Sequence, residues 1–349
     1  MGKLKVAVIF GGKSTEHEVS RLSASSVLMN IDKEKYEIYP IGIDKQGNWL
    51  EYTGEYSNVM EGDWQEETTE IKDLVGYLKN MDVVFPILHG LYGEDGTIQG
   101  LLELIGVSYV GCKVLASSVS MDKIYTKVVF EKANIPQLPY VYIKKDKKGN
   151  FILINHDFTE VIGIENCINN IEKNIGFPCF IKPSNSGSSV GINKAKNIEE
   201  LKEAIKYASE FDSKIIIEQG IDCREIECAI LGDSNPEASI LGEILPAGEF
   251  YSYDSKYNDE TSGLCIPAKI SKKEEEYIRE MAIKAFKSVD GSGLSRVDFF
   301  IDKKTNDIYI NEINTMPGFT TISMYPKLWE NTGLTFGKLI DKLINLALE

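Results

Sequence analysis

The chain has 349 residues, 43% of them hydrophobic and 10% aromatic; that is enough apolar surface to bury real cores, so a mostly disordered chain is excluded and roughly two or three units are expected. Lys and Arg total 38 against 53 Asp and Glu, a formal charge of −15, which repels a nucleic-acid backbone and confines any bound phosphate to a local basic pocket. No apolar stretch approaches the length of a membrane span, and the amino-terminal "MGKLKVAVIFGG" breaks at a glycine pair before it reaches the apolar length of a signal peptide.

In chain order, "KVAVIFGG" is a β-branched run ended by glycines, and "STEHEVSRLSASSVLMNI" has helical apolar spacing behind a Ser/Thr/Glu start, so the opening reads strand, turn, helix. "YEIYPIGI" and "MDVVFPILHG" predict further strands, "GTIQGLLELIG" a helix and "VSYVG" a short strand. Strands alternating with helices predict a parallel α/β layer over about the first 110 residues. "SSVSMDKIYTKVVFEKANI" predicts a helix carrying Lys123, and "PQLPYVYI" resumes extended chain. The charged "KKDKKGN" and the polar "NHDFTE" predict exposed loops, with a helix between them or just after. From "FPCFIKP" the pattern runs strand, glycine loop, helix over "NIEELKEAIKYASEF" and strand over "KIIIEQGI", a second α/β unit. The remainder, from "REIECAIL" through the helix "KKEEEYIREMAIKAFKSV" to "SRVDFFID" and "DIYINEIN", predicts mostly antiparallel sheet plus helices. The six cysteines, Cys112, Cys167, Cys179, Cys223, Cys228 and Cys265, show no CxxC spacing and read as reduced thiols, so a cytoplasmic protein is expected.

Two stretches carry chemistry. "KPSNSGSSVGINK" places glycines and serines between two lysines directly after an apolar strand. Glycines let backbone N–H groups approach a ligand and serines add hydroxyl donors, which suits polyphosphate oxygens. Taken alone, such a run is as readily a surface loop; GxxxxGK[ST] is absent, and no GxGxxG opens a helix after the first strand. The second stretch is "SRVDFF…DIYINEINTMPG". Asp298 lies on one apolar strand, and Glu312 and Asn314 alternate on the next, so the latter two project from one face. Two carboxylates and an amide can hold Mg²⁺, which shares its other positions with water and phosphate oxygens. Arg296 falls on the face of Asp298; a structural ion pair and phosphoryl-transfer electrostatics would both explain it.

Together with "IFGGKSTEHEVS", "LHGLYGEDGTIQG", "SMDK", "YSYDSKY" and "GFT…SMYP", these stretches resemble, in order and over nearly the whole chain, the ATP-grasp carboxylate–amine ligases in their D-alanine–D-alanine ligase family. The resemblance implies a three-domain architecture of α/β and α+β type: residues 1–114 as an amino-terminal parallel α/β domain with substrate contacts, 115–220 as the central domain with the glycine–serine loop, and 221–349 as the carboxyl-terminal domain with the metal and acyl-phosphate site. It implies that ATP phosphorylates the carboxylate of one D-alanine and that the amine of a second attacks the acyl phosphate. Lys123, Lys182 and Ser189 match the family's phosphate contacts, and Lys256 the lysine that reaches the transferred phosphoryl group. Glu218, Gln219 and Ile221 match the adenine pocket and hinge, and Glu225 the acid on the ribose. Asp298, Glu312 and Asn314 match the Mg²⁺ ligands, and the family allows Mn²⁺ and a monovalent cation as well. Arg296 and Gly318 match the oxyanion contacts, Glu16 the partner of the first substrate's ammonium, and Ser323 the cradle of the second carboxylate. His89 ends an apolar strand where substrate could lie, and Ser188 and Tyr257 match, with Glu16, a group that assists removal of the second amine's proton.

Departures matter too. Gln219 stands where some relatives have lysine, and Cys223 where a glycine is common. No histidine lies near Tyr257, which argues against the lactate-joining relatives. Met324 follows Ser323 where D-serine-adding relatives carry a basic side chain, so Met324 is expected to line the second D-alanine's methyl pocket. The expectation is a cytoplasmic, homodimeric enzyme acting on ATP and D-alanine for peptidoglycan precursors, with no nucleic-acid or membrane partner. A D-alanine–D-serine ligase and a nucleotide-binding regulator without turnover are the competing readings.

Overall fold

A computed structural model describes residues 2–61, 64–155, 159–245 and 263–349. The first unit carries strands β1 (Leu4–Gly11), β2 (Tyr36–Ile43), β3 (Trp49–Tyr52), β4 (Thr68–Glu70), β5 (Val83–Pro86) and β6 (Ser108–Tyr109), ordered β4-β3-β2-β1-β5-β6. β1 pairs in parallel with β2 and β5, and β5 with β6. The last six residues of β1 are buried, as expected of a parallel strand covered on both faces. The parallel layer therefore holds for four strands, while β3 and β4 extend the β2 edge antiparallel. Helix α1 (His17–Asn30) covers one face, and α2 (Asn58–Glu61), α3 (Leu74–Lys79) and α4 (Thr97–Ile105) complete the unit.

The expected single helix around Lys123 is two, α5 (Val114–Met121) and α6 (Lys123–Lys132). The chain turns at Asp122, whose carboxylate accepts the N–H groups of Ile124 and Tyr125 as an N-cap. The central sheet is antiparallel throughout, in the order β11-β10-β12-β7-β8-β9, from β7 (Tyr140–Lys145), β8 (Phe151–Ile154), β9 (Glu160–Ile162), β10 (Cys179–Pro183), β11 (Asn193–Ala195) and β12 (Lys214–Gln219). Helices α7 (Ile164–Asn174) and α8 (Ile198–Ala208) bury Ile168, Ile171, Leu201 and Ile205 against it.

The third sheet, β15-β14-β13-β16-β17, is antiparallel and comprises β13 (Cys223–Leu231), β14 (Glu237–Leu245), β15 (Gly263–Cys265), β16 (Leu294–Asp302) and β17 (Ile308–Asn314). Helix α9 (Lys272–Ser288), started by a Ser271/Glu274 capping box, packs Ile278, Ala282 and Phe286 on one face. On the other face, α10 (Met324–Thr332) and α11 (Phe336–Leu348) share one core with the first sheet, joining Tyr325, Leu328 and Leu343 to Val8, Phe10 and Phe85. The first and last units are thus welded, with the central unit facing both. Among the described residues no helix is long and apolar enough to cross a membrane.

Candidate active site

A cavity of ≈ 1900 Å³ opens between the units, and residues from all three units line it, those of the first unit coming from its helices and loops and those of the other two partly from their sheets. Its central-unit wall is the glycine–serine loop after β10. Ser188 and Ser189 there adopt left-handed backbone, at φ 48 and 60, a conformation non-glycine residues rarely hold outside functional loops. The N–H groups of Gly187 and Ser188 have no acceptor among the described residues, which leaves them for a ligand. Asp122, Ser184 and Lys214 hold the base of the loop against α6: Ser184 donates to Asp122 at 2.6 Å, Lys214 pairs with Asp122, and Lys123 N–H donates to Ser184 O at 3.1 Å. That arrangement aims Lys123 across the loop, where its ammonium donates to Ser186 O at 2.7 Å and lies 3.7 Å from Glu312.

Lys182 on β10 and Glu218 on β12 sit two residues apart in register on one face of the sheet. Lys182 Nζ lies 2.6 Å from Glu218 Oε2, and a second ammonium, Lys127 on α6, lies 2.7 Å from Oε1. Burial alone would push the Glu218 carboxyl up; the two cations outweigh it and hold it well below the ordinary carboxylate range. Lys127, nine-tenths or more buried, is a residue sequence reasoning missed. A lysine one helical turn after Lys123 in "DKIYTK" was the available signal. Gln219, Ile221 and Glu225 line the same end of the cavity.

On the third sheet, β16 and β17 set Asp298 opposite Glu312 and Arg296 opposite Asn314, so period two puts all four on one face. The Arg296 guanidinium donates to both Asp298 oxygens at 2.7 Å and lies 3.0 Å from Glu227 on β13. Asn314 Nδ2 donates to Asp298 at 3.1 Å. Burial would depress Arg296, but Asp298 and Glu227 raise it well above its ordinary value, so it stays charged. Glu312, Asn314 and Arg296 line the main cavity; Asp298 lines an adjoining one of ≈ 50 Å³ with Glu225, Glu227 and Glu312. Among the described residues no three His, Cys, Asp or Glu side chains form a metal cluster. Two carboxylates and an amide oxygen are an incomplete shell, which fits a hard cation that takes its other oxygens from water and phosphate.

At the far end, Glu16 precedes α1, and its carboxylate accepts the Ser188 hydroxyl across the gap between first and central units. Two glycines make room for it: an added Cβ at Gly187 would lie 2.6 Å from Glu16 Oε2, and one at Gly90, where φ is +70, would strike the same oxygen. Ser323 Oγ accepts Thr320 N–H at 3.1 Å, and an added Cβ at Gly318 would lie 3.0 Å from it. His89 lines the cavity, yet both ring nitrogens are taken, by Met316 O at 3.0 Å and Ser23 Oγ at 2.9 Å. Met324 lines the cavity beside Ser323, while most of its side chain is packed in the shared core: it is only 5% exposed, with its sulfur against Gly242. Lys327, one helical turn on, also lines the cavity. Glu94, missed from sequence, accepts Gly90 N–H at 2.9 Å and Met316 N–H at 3.1 Å; burial first and Glu16 second push its carboxyl up to about 8. Lys256 and Tyr257 lie outside the described residues.

Comparison with known proteins follows the same lines. Residues 5–112 match the family described as D-ala D-ala ligase N-terminus, and 129–345 the D-ala D-ala ligase C-terminus. The chain is 49% identical over 375 residues to a D-alanine–D-alanine ligase of Acetivibrio thermocellus (99% of this chain, 96% of the relative), and 51% over 348 residues to one of Clostridium acetobutylicum (99% and 98%). Among solved structures, the VanG D-Ala:D-Ser ligase from Enterococcus faecalis superposes with a TM-score of 0.87 at 38% identity, covering 99% of this chain and 100% of that one. The D-alanine–D-alanine ligase from Coxiella burnetii gives 0.82 at 35%, covering 99% and 95%.

Proposed function

Because the chain belongs to the D-alanine–D-alanine ligase family, we propose that the cavity between its units is the site where two D-alanine molecules are joined at the expense of ATP. The protein is an ATP-dependent ligase that forms D-alanyl-D-alanine for peptidoglycan synthesis. One observation carries the site assignment: a first-unit carboxylate (Glu16), the glycine–serine loop with Lys123 and Lys182, and Arg296 with Glu312 and Asn314 all face one cavity.

In this reading Lys123, Lys182 and the N–H groups of Gly187 and Ser188 hold the nucleotide phosphates, while Glu218, Gln219 and Ile221 flank adenine and Glu225 the ribose. Asp298, Glu312 and Asn314 hold a divalent cation, Mg²⁺ or Mn²⁺. Such an ion, when bound, neutralises phosphate charge as the γ-phosphoryl group transfers. Glu16 pairs with the ammonium of the first D-alanine and leaves its carboxylate toward Arg296. A carboxylate oxygen bonds to the γ-phosphorus as the β–γ P–O bond breaks, giving acyl phosphate and ADP. The second D-alanine, its carboxylate at Ser323, reacts only as the neutral amine; Ser188 passes its proton toward Glu16. The new C–N bond puts negative charge on the carbonyl oxygen, to which the Arg296 fork and Gly318 N–H donate hydrogen bonds before inorganic phosphate leaves.

Purified protein supplied with ATP, Mg²⁺ and D-alanine should release phosphate and yield D-alanyl-D-alanine by mass spectrometry. L-alanine should be much poorer, since Glu16 and Arg296 fix the ammonium and carboxylate of the first amino acid and so set which hand fits the remaining space. No phosphate above the ATP-only background would defeat the reading. D-alanyl-D-serine dominating when both amino acids compete would move the second substrate to D-serine.

A further inference from the structure

The segment Met316–Phe319 crosses the floor of the cavity, and its backbone donors can be followed one by one. Pro317 has no N–H. Met316 N–H goes to Glu94 at 3.1 Å, and Phe319 N–H goes to Ser23 Oγ at 3.1 Å. Among the described residues the Gly318 N–H alone in this segment has no protein acceptor, and Gly318 lines the cavity. We propose that Ser23, His89 and Glu94 are positioning residues, which from the first unit grip this segment at both ends and so aim the free Gly318 amide at the reacting carbonyl. The proposal rests on the reading of Gly318 as an oxyanion donor.

The direction of each bond follows from one fixed acceptor. Met316 O can only accept, so His89 Nδ1 must carry the proton at 3.0 Å. His89 is 3% exposed, and burial lowers its pKa against the opposing pull of Glu16, so the ring is neutral and Nε2 has no proton. Nε2 must then accept the Ser23 hydroxyl hydrogen at 2.9 Å, which leaves the Ser23 oxygen lone pairs facing Phe319 N–H. Ser23 is 0% exposed, so water cannot stand in for it. The chain runs from Phe319 N–H through Ser23 and His89 to Met316 O, while Glu94 ties Met316 N–H to Gly90 N–H. Phe319, itself fully buried, packs edge-on against Phe85 of β5 at 5.9 Å, so the far end of the segment is fixed by packing as well. His89 thus serves the loop, not the substrate directly.

The test uses the full-length enzyme. Ser23→Ala orphans Phe319 N–H and His89 Nε2 together. Turnover per nucleotide-binding site should fall roughly tenfold to a hundredfold, the scale of an ångström-sized misplacement of a catalytic group, while KM for ATP stays within about twofold. Glu94→Gln keeps one acceptor of two and should fall less, in the same pattern. A merely structural role would lower the folded fraction and leave turnover per site unchanged. Independently, ¹⁵N NMR of the wild type, with 3 histidines to assign and His89→Gln to identify the signal, should show a neutral, Nδ1-protonated ring that does not titrate through neutral pH. An Nε2-protonated or titrating His89, or wild-type turnover per site in both variants, overturns the proposal. If Ser23→Ala does not fold, Glu94→Gln and the spectrum decide. A wild type that never releases phosphate with D-alanine defeats the ligase reading instead, and the spectrum still judges the clamp.

Discussion

Replacing Lys127 with Met removes one of the two cations that hold Glu218. Lys127 is 3% exposed, and its ammonium lies 2.7 Å from Glu218 Oε1. At that separation and an effective dielectric constant near 20, the attraction is about 6 kcal/mol, set against a desolvation penalty of several kcal/mol for each ion. Met fills much of the lysine stem's volume, so the Lys127 penalty disappears, but the Glu218 carboxylate keeps its own penalty with one partner fewer. Breaking a buried pair from one side typically costs about 3–5 kcal/mol, and that is the stability loss expected by urea unfolding. A second effect falls on the nucleotide. Glu218 then draws wholly on Lys182, 2.6 Å away, and competes for the donor that a phosphate oxygen needs. Losing one charge-assisted hydrogen bond of about 1.5–3 kcal/mol corresponds to roughly tenfold to a hundredfold weaker ATP binding, readable by titration with a fluorescent nucleotide. A Lys127→Met protein with wild-type unfolding midpoint and ATP affinity would refute the claim that this lysine shares the load of Glu218. Lost stability with unchanged affinity would refute only the link to Lys182.

Four further outcomes follow from the same geometry. Arg296→Ala should raise the barrier by about 3–4 kcal/mol, a loss of hundreds-fold in turnover or more, and calorimetry should show tighter Mg²⁺ binding to the nucleotide-free protein, because the guanidinium no longer occupies both Asp298 oxygens. Glu94 titrates at about 8 in the fold against an ordinary 4.5, with Glu16 and Arg296 as its charged neighbours; between those values the folded carboxyl keeps a proton that the unfolded chain has lost. Wild-type stability should therefore fall relative to Glu94→Gln as pH rises through that window and run parallel above it, as thermal melts at several pH values would reveal. Lys327→Met should raise the KM for D-alanine up to about fivefold, in a salt-sensitive way, with the KM for ATP unchanged. Met324→Arg should instead lower the melting temperature, since its side chain is packed in the shared core.

Much of the site was legible in the chain because it is local. A lysine closing an apolar strand before a glycine–serine run, and acids alternating on two consecutive strands, need only the period of two and a hairpin to converge, and β16 and β17 pair as that pattern requires. The parallel core of the first sheet was legible for the same reason, each strand being announced by its own apolar run. β3 and β4 were not, because such short strands at the rim of the sheet are partly exposed and carry no alternation strong enough to read. The break at Asp122 escaped because a capping carboxylate looks like any surface acid until its partners are placed. What only the tertiary structure decided lies between residues far apart in the chain: His89 and Met316, 227 residues apart, or the Ser188 hydroxyl on Glu16, 172 apart. Met324 turning into the core and Lys127 reaching Glu218 belong with them. Such contacts are set by how the sheets and helices of the three units pack, and packing responds to summed shape and burial over whole faces. A residue's neighbours in sequence specify which face of its element it occupies; which partner meets that face is fixed only when the units close on one another.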